Sequence, residues 1–197
     1  MTKQEILKVA SGITGWMSED ELAWLIEQAS TRRTAIEIGS WKGRSTKALA
    51  LSVQEVVYSV DEWMSTPPPT QDSRALPDWM EVEGRGAGSV KAEFERNLSG
   101  EIASGKCIPI GLSSEAAVGK LKDMLSGRKV DMVFIDGDHD YPMVKRDIEL
   151  WMPMLAEGGL ISGHDYIWPT VHKAVAELVP GHRYLHHTTI WYGTAVA

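Results

Sequence analysis

This chain of 197 residues has one cysteine, Cys107, and two phenylalanines, and its 27 acidic residues outnumber its 20 lysines and arginines. A single thiol excludes an intramolecular disulfide framework, and its place in the apolar run Cys107-Ile-Pro-Ile110 reads as a buried, inert group. A formal net charge of -7 disfavours the clustered lysine and arginine surface that a phosphate backbone requires, so no nucleic acid partner is expected. No apolar run approaches the roughly 20 residues of a membrane-spanning helix, and the opening Met-Thr-Lys-Gln-Glu-Ile lacks a basic segment followed by an apolar one. With 43% apolar residues the chain can fill one core and is short for two, so the expectation is a single cytoplasmic domain (1–197) acting on a small molecule.

What is present alternates between two periods. Ser18-Glu-Asp-Glu21 forms a capping box ahead of Leu22, Trp24, Leu25 and Ile26, which predicts a helix over 19–30 and a shorter one before it. Apolar strand patterns recur at 34–39, 56–60, 107–110, 130–136, 159–163, 184–187 and 190–195, with helical patterns in most gaps. This rhythm predicts an α/β fold, a doubly wound, mostly parallel sheet of seven strands whose last two form an antiparallel hairpin across the short Thr188-Thr189 link. The segment from Trp63 to Gly88, with Pro67-Pro-Pro69 and Pro77, breaks the rhythm. Loops of that length are commonly lids, binding loops or disordered segments, and we read an insertion over 63–98 as a lid above the substrate, with a solvated insertion as the alternative.

Three signals fall where the predicted strands end, which is where an open parallel sheet binds its ligands. The first is Ala35-Ile-Glu-Ile-Gly-Ser-Trp-Lys-Gly-Arg-Ser-Thr46, a strand, a glycine turn and a helix start, whose spacing singles out Glu37, Gly39, Ser40 and Gly43. Asp61, closing the next strand, can hold the two hydroxyls of a ribose. The second is Gly111-Leu-Ser-Ser114, where Ser113 or Ser114 can meet the edge of an adenine ring, and where Ser114 also reads as a helix N-cap. The third pairs Asp136-Gly-Asp-His139-Asp-Tyr141 with Gly163-His164-Asp165. So dense a set of charges beside apolar strand ends needs a cation, a ligand or one another.

With these motifs the chain resembles the class I S-adenosylmethionine-dependent methyltransferases. More narrowly, it resembles the small O-methyltransferases that include catechol O-methyltransferase and the sugar O-methyltransferases of macrolide and aminocoumarin biosynthesis. The likeness runs from about Trp16 onward and rests on Glu-Ile-Gly-Ser-x-x-Gly-Arg-Ser-Thr, Phe-Ile-Asp-Gly-Asp-His-x-Tyr and Leu155-Ala-Glu-Gly-Gly-Leu-Ile. It implies a Rossmann-like fold and S-adenosylmethionine as cofactor. Glu37, Gly39 and Ser40 would lie on the methionine half, Asp61 on the ribose, and Ser113 or Ser114 by the adenine. It also implies that Asp136 with the adjacent pair His164 and Asp165 occupies the place of a divalent metal site, and that His139 is the general base. His164 departs from the oxygen ligand of the metal-dependent members, and imidazole suits manganese or another transition metal better than magnesium.

The residues alone support a compatible chemistry. Methyl transfer to oxygen needs a nucleophile held in line and stripped of its proton. His139, flanked by Asp138 and Asp140, is suited to take that proton, with the flanking acids expected to raise its pKa. A nicotinamide oxidoreductase would need a second close glycine that Gly39-Ser-Trp-Lys-Gly43 lacks. A metal-dependent hydrolase built on Asp136, His139, His164 and Asp165 is the main alternative, and a non-catalytic cofactor-binding protein is another. Trp16, Trp24 and Trp151 read as core anchors, and Trp16 with Met17 as an apolar patch on which a homodimer could form.

Overall fold

The computed structural model describes residues 1–63 and 87–195, so most of the expected loop, and the lid reading attached to it, lies outside the described residues. Two helices, α1 (Lys3–Ser11) and α2 (Glu19–Ser30), precede β1 (Thr34–Ile38), α3 (Arg44–Ser52) and β2 (Val56–Val60). After the undescribed segment come α4 (Ala87–Asn97), α5 (Ser99–Ala103), β3 (Cys107–Ile110), α6 (Ser114–Leu125) and β4 (Val130–Ile135). The chain ends with α7 (Tyr141–Trp151), a 3₁₀ turn (Met152–Met154), β5 (Leu155–Gly163), α8 (Pro169–Leu178), β6 (Arg183–Tyr184) and β7 (Trp191–Thr194).

The seven strands form one sheet in the order β3-β2-β1-β4-β5-β7-β6. The first five are parallel, and β7 inserts antiparallel between β5 and β6. The last two strands are a hairpin, as expected, but β6 is only two residues long: His186 and His187 lie beyond it, and His187 has a positive φ of 66°. Gly163 explains how β7 fits beside β5, because a Cβ there would lie 2.6 Å from the indole of Trp191, which is fully buried.

Strand side chains alternate between two cores, as the period of two requires. Ala35, Val57, Met132 and Phe134 face α1 to α4, while Ile36, Tyr58, Val133 and Ile135 face α6 to α8. Glu37 lies between Ile36 and Ile38, so it points into the first of these layers, toward α3. Residues 87–98, expected as the end of the insertion, form α4 and enter α5, and Val90, Phe94 and Leu98 are buried against the same layer. At about 1.5–3 kcal/mol for each fully buried large apolar side chain, such contacts outweigh the weak helix propensity of Gly88 and Ser89 at the start of α4.

The tryptophans divide. Trp151 is buried, but Trp16 is 54% exposed and its ring lies 4.3 Å from that of Trp41, so it is no core anchor. Met17 is buried, which removes half of the expected exposed patch. Cys107 is buried as expected, and desolvation pushes its thiol up to about 12. No helix among the described residues is long and apolar enough to cross a membrane.

Candidate functional site

The sheet register decides which residues meet. Ile38 is level with Val60 and Ile135, Val60 with Ile110, and Ile135 with Gly163. The next residue of each strand, namely Gly39, Asp61, Gly111, Asp136 and His164, therefore stands on one rim. The ladder continues into that rim, with N–H donation from Gly39 to Val60 (2.9 Å), Asp136 to Ile38 (2.7 Å) and His164 to Ile135 (3.0 Å). Gly39 is required there. Its φ is +84°, and a Cβ would sit 2.1 Å from the carbonyl oxygen of Asp136, so the β1 turn rests backbone to backbone on the β4 turn. Gly43 likewise has a φ of +89° and leaves no room for a Cβ beside Leu98.

Asp61 holds this turn. One carboxylate oxygen accepts from the N–H groups of Ser40 and Trp41, both at 2.8 Å, and the other from Trp63 N–H at 2.6 Å. Trp41 and Trp63 both carry positive φ, 41° and 46°, and the Trp63 indole donates to the Trp41 carbonyl at 2.9 Å. An ionised carboxylate has about four acceptor positions, so three amide bonds leave capacity for a hydroxyl. Glu37 differs from its expected place at the cofactor surface. It is fully buried under the turn and accepts from the hydroxyls of Ser40 (2.8 Å) and Thr46, with Ser59 donating on to Ser40 at 2.6 Å. Burial pushes its carboxyl up to about 7, and its second oxygen has no hydrogen-bond partner among the described residues.

At the β3 end, Ser113 rather than Ser114 is the N-cap of α6, accepting from Ala116 N–H. Ser114 faces inward instead. Its hydroxyl donates to Asp147 at 2.5 Å and accepts from the indole of Trp151 at 2.7 Å. Asp147 is buried, and desolvation pushes it up to about 6. Sequence reasoning missed Asp147, although its place among Val144, Ile148 and Trp151 on one helical face was a readable signal.

The acids and imidazoles of the third signal converge. His139 donates through Nε2 to Asp165 at 2.7 Å and stacks on the half-exposed Trp168, ring to ring at 5.3 Å. That hydrogen bond is the main reason its pKa is raised, against desolvation. Of the flanking acids, Asp138 adds a lesser charge effect. His164 is buried between three carboxylates: Nδ1 lies 3.1 Å from Asp165 and 3.5 Å from Asp136, and Nε2 lies 3.4 Å from Glu21. Burial opposes its charge, yet these carboxylates lift it to about 10. Burial likewise opposes ionisation of Asp165, but the two imidazoles hold it well below the usual carboxylate range. Asp136 is pushed up to about 7 by desolvation, with the charges of Asp165 and Glu37 adding to that shift.

This arrangement changes the expected metal set. His164 has a carboxylate beside each ring nitrogen, and a ring that carries both protons has no lone pair to offer a metal. The described residues that can offer one ligand atom each, all within 4.8 Å of one another, are Asp136, His139 and Asp165. Glu21 was read only as a capping residue, and nothing in the sequence marks it as belonging here.

A seven-stranded sheet in the order 3-2-1-4-5-7-6, with helices on both faces and a C-terminal antiparallel hairpin, matches a Rossmann-like methyltransferase fold. A family model described as a methyltransferase domain matches residues 36–166, and the chain belongs to that family. It is an S-adenosylmethionine-dependent methyltransferase, and the hydrolase and non-catalytic readings give way. No curated protein matches the sequence. Among solved structures, CalS11, a calicheamicin methyltransferase, aligns over 98% of this chain and 90% of its own, with a TM-score of 0.67 and 14% identity. A putative caffeoyl-CoA O-methyltransferase from Staphylococcus aureus covers 100% and 93%, with a TM-score of 0.65 at 14% identity. The O-methyltransferase from Bacillus cereus in complex with SAH covers 98% and 90%, with a TM-score of 0.60 at 14% identity. At these identities the likeness carries the fold.

Proposed function

We propose that the chain transfers a methyl group to a hydroxyl of a small molecule, namely a sugar, a phenol or a polyketide-like compound, with His139 as the general base. The observation that supports this most is the 2.7 Å bond from His139 to Asp165, on the rim beside the glycine turn. The bound donor supplies an electrophilic methyl on a sulfonium, so the protein's remaining task is to orient an oxygen and remove its proton. Asp165 orients the imidazole through Nε2, which leaves Nδ1 to take the acceptor proton, and it stabilises the imidazolium that results. Asp61 accepts from the Ser40 and Trp41 N–H groups, so it holds the turn in which Gly39, Trp41 and Gly43 are left-handed, and it has capacity for a ribose hydroxyl. Ser113, at the start of α6, lies on the adenine side, while the inward Ser114 hydroxyl is taken up by Asp147 and Trp151.

A second reading is favoured by the convergence of Asp136, His139 and Asp165, whose two oxygens and one nitrogen fit a divalent ion such as manganese. Bound there, a cation would lower the pKa of the acceptor hydroxyl and fix two of its oxygens. The two readings separate in one experiment: calorimetric titration with S-adenosylmethionine, then turnover of a panel of catechols and glycosides with and without chelator. Turnover that survives chelation and is lost in His139→Ala supports the base. Turnover lost on chelation and restored by Mn²⁺ supports the cation, and no methylation of any panel hydroxyl despite tight cofactor binding counts against O-transfer to these classes.

A further inference from the structure

We infer that Glu21, on α2 and outside the family-matched region, is a positioning residue that holds Asp165 in the conformation from which it orients His139. The inference rests on the reading of His139 as base. Asp165 has a φ of +61°, a left-handed backbone that a non-glycine residue keeps only when its surroundings over-determine it. Both neighbours of Asp165 are tied to Glu21. On one side, Oε2 of Glu21 lies 3.4 Å from Nε2 of His164, whose Nδ1 is 3.1 Å from Asp165. On the other, Oε1 of Glu21 accepts from the N–H (2.8 Å) and hydroxyl (3.0 Å) of Thr189, and the carbonyl of Thr189 accepts from the N–H of Tyr166 at 2.9 Å. One carboxylate thus clamps residue 164 through its side chain and residue 166 through its backbone.

Capping alone does not account for this carboxylate. The capping box uses Oε2, which accepts from Ser18 N–H (2.8 Å) and hydroxyl (2.9 Å), and a glutamine at this position would also serve a cap. The similar box of α1, Thr2 with Glu5, is exposed and reaches no other element among the described residues. Glu21 is instead 4% exposed, buried where α2, the β6–β7 connection and the end of β5 meet. Its charge faces His164, and its other oxygen spans 168 residues of sequence to Thr189.

The test compares Glu21→Gln with Ser18→Ala in the full chain, by hydrogen exchange of the Tyr166 amide and by the ring ¹H–¹⁵N signals of His139. Glu21→Gln is expected to speed Tyr166 exchange by about tenfold, the scale of losing one or two hydrogen bonds, and to move the His139 signals although residue 21 does not touch that ring. Ser18→Ala is expected to lower Tm through the lost cap and to leave both readouts in place. If Glu21→Gln leaves both unchanged, or Ser18→Ala moves both as far, the inference is overturned. Should Glu21→Gln fail to fold, hydrogen exchange of the Thr189 and Tyr166 amides in the unsubstituted chain replaces it, and fast exchange of either amide overturns the backbone clamp. Full turnover in His139→Ala would sink the base assignment, whereas the exchange readout judges Glu21 without it.

Discussion

Replacing His164 by Gln removes the buried imidazolium that lies among Glu21, Asp136 and Asp165 while keeping a polar side chain of similar reach. The unfolded imidazole loses its proton near 6.5 and the folded one near 10. Its stabilisation is therefore complete below pH 6.5, falls by about 1.4 kcal/mol per pH unit above that, and is gone above pH 10. The full interval corresponds to about 5 kcal/mol, and the general cost of breaking a buried ion pair, roughly 3–5 kcal/mol, is of the same order. At about pH 7.5 the wild type should exceed His164→Gln by about 3 kcal/mol, and the gap should close toward pH 10. Urea-induced unfolding of both proteins across that range reads the gap directly, because other alkaline titrations are common to the two. A gap below about 1 kcal/mol at neutral pH, or one that persists undiminished to pH 10.5, would refute the picture of a charged His164.

His139→Ala should reduce turnover by about a hundredfold with cofactor affinity nearly unchanged, the usual scale for losing a general base, and equal activity would remove His139 from the mechanism. Because the bond to Asp165 raises the pKa of His139, the wild-type rate should rise with pH through that raised value as the base loses its proton, and a rate flat across it would contradict the assignment. Gly39→Ala places a Cβ 2.1 Å from the Asp136 carbonyl at a φ of +84°. We expect a loss of about 3 kcal/mol or more in urea unfolding together with weakened cofactor binding, and a cost under about 1 kcal/mol would mean that the two turns are not packed as described. Ser114→Ala strips the buried Asp147 of its donor, so it should cost about 1–3 kcal/mol, with the deficit growing as pH rises through about 6, where Asp147 ionises. A deficit that does not change with pH would show that Asp147 does not depend on that hydroxyl.

Much of the fold was legible because its signals are local. The start of the helix Glu19–Ser30 was readable from the Ser18 capping box, and the five parallel strands from short apolar runs at the right intervals. Where the reading slipped, a long-range contact had decided. Ser113 capped α6 because Ser114 was drawn inward by Asp147 and Trp151. Trp16 stayed exposed on the Trp41 turn even though its neighbours form a helical apolar pattern. That Asp61 and Asp136 stand on one rim was inferable from strand ends, and Asp136, His139 and Asp165 meet there, but the partner of each was not inferable. The 2.7 Å bond that orients His139 joins residues 26 apart, and Glu21 reaches its partner across 168.

By itself the sequence determined the alternation of strand and helix, the glycine turn and the set of ionisable residues at the strand ends, because backbone preference and hydrophobic period act between near neighbours. Which of those charges face one another depends on the assembled sheet and the helices packed on it. Glu37 went under the turn, His164 became a buried cation between carboxylates, and Glu21 was recruited from a helix cap. The physical reason is that charge and desolvation depend on distance in space, and the sheet register and the packing of α2 against it set those distances.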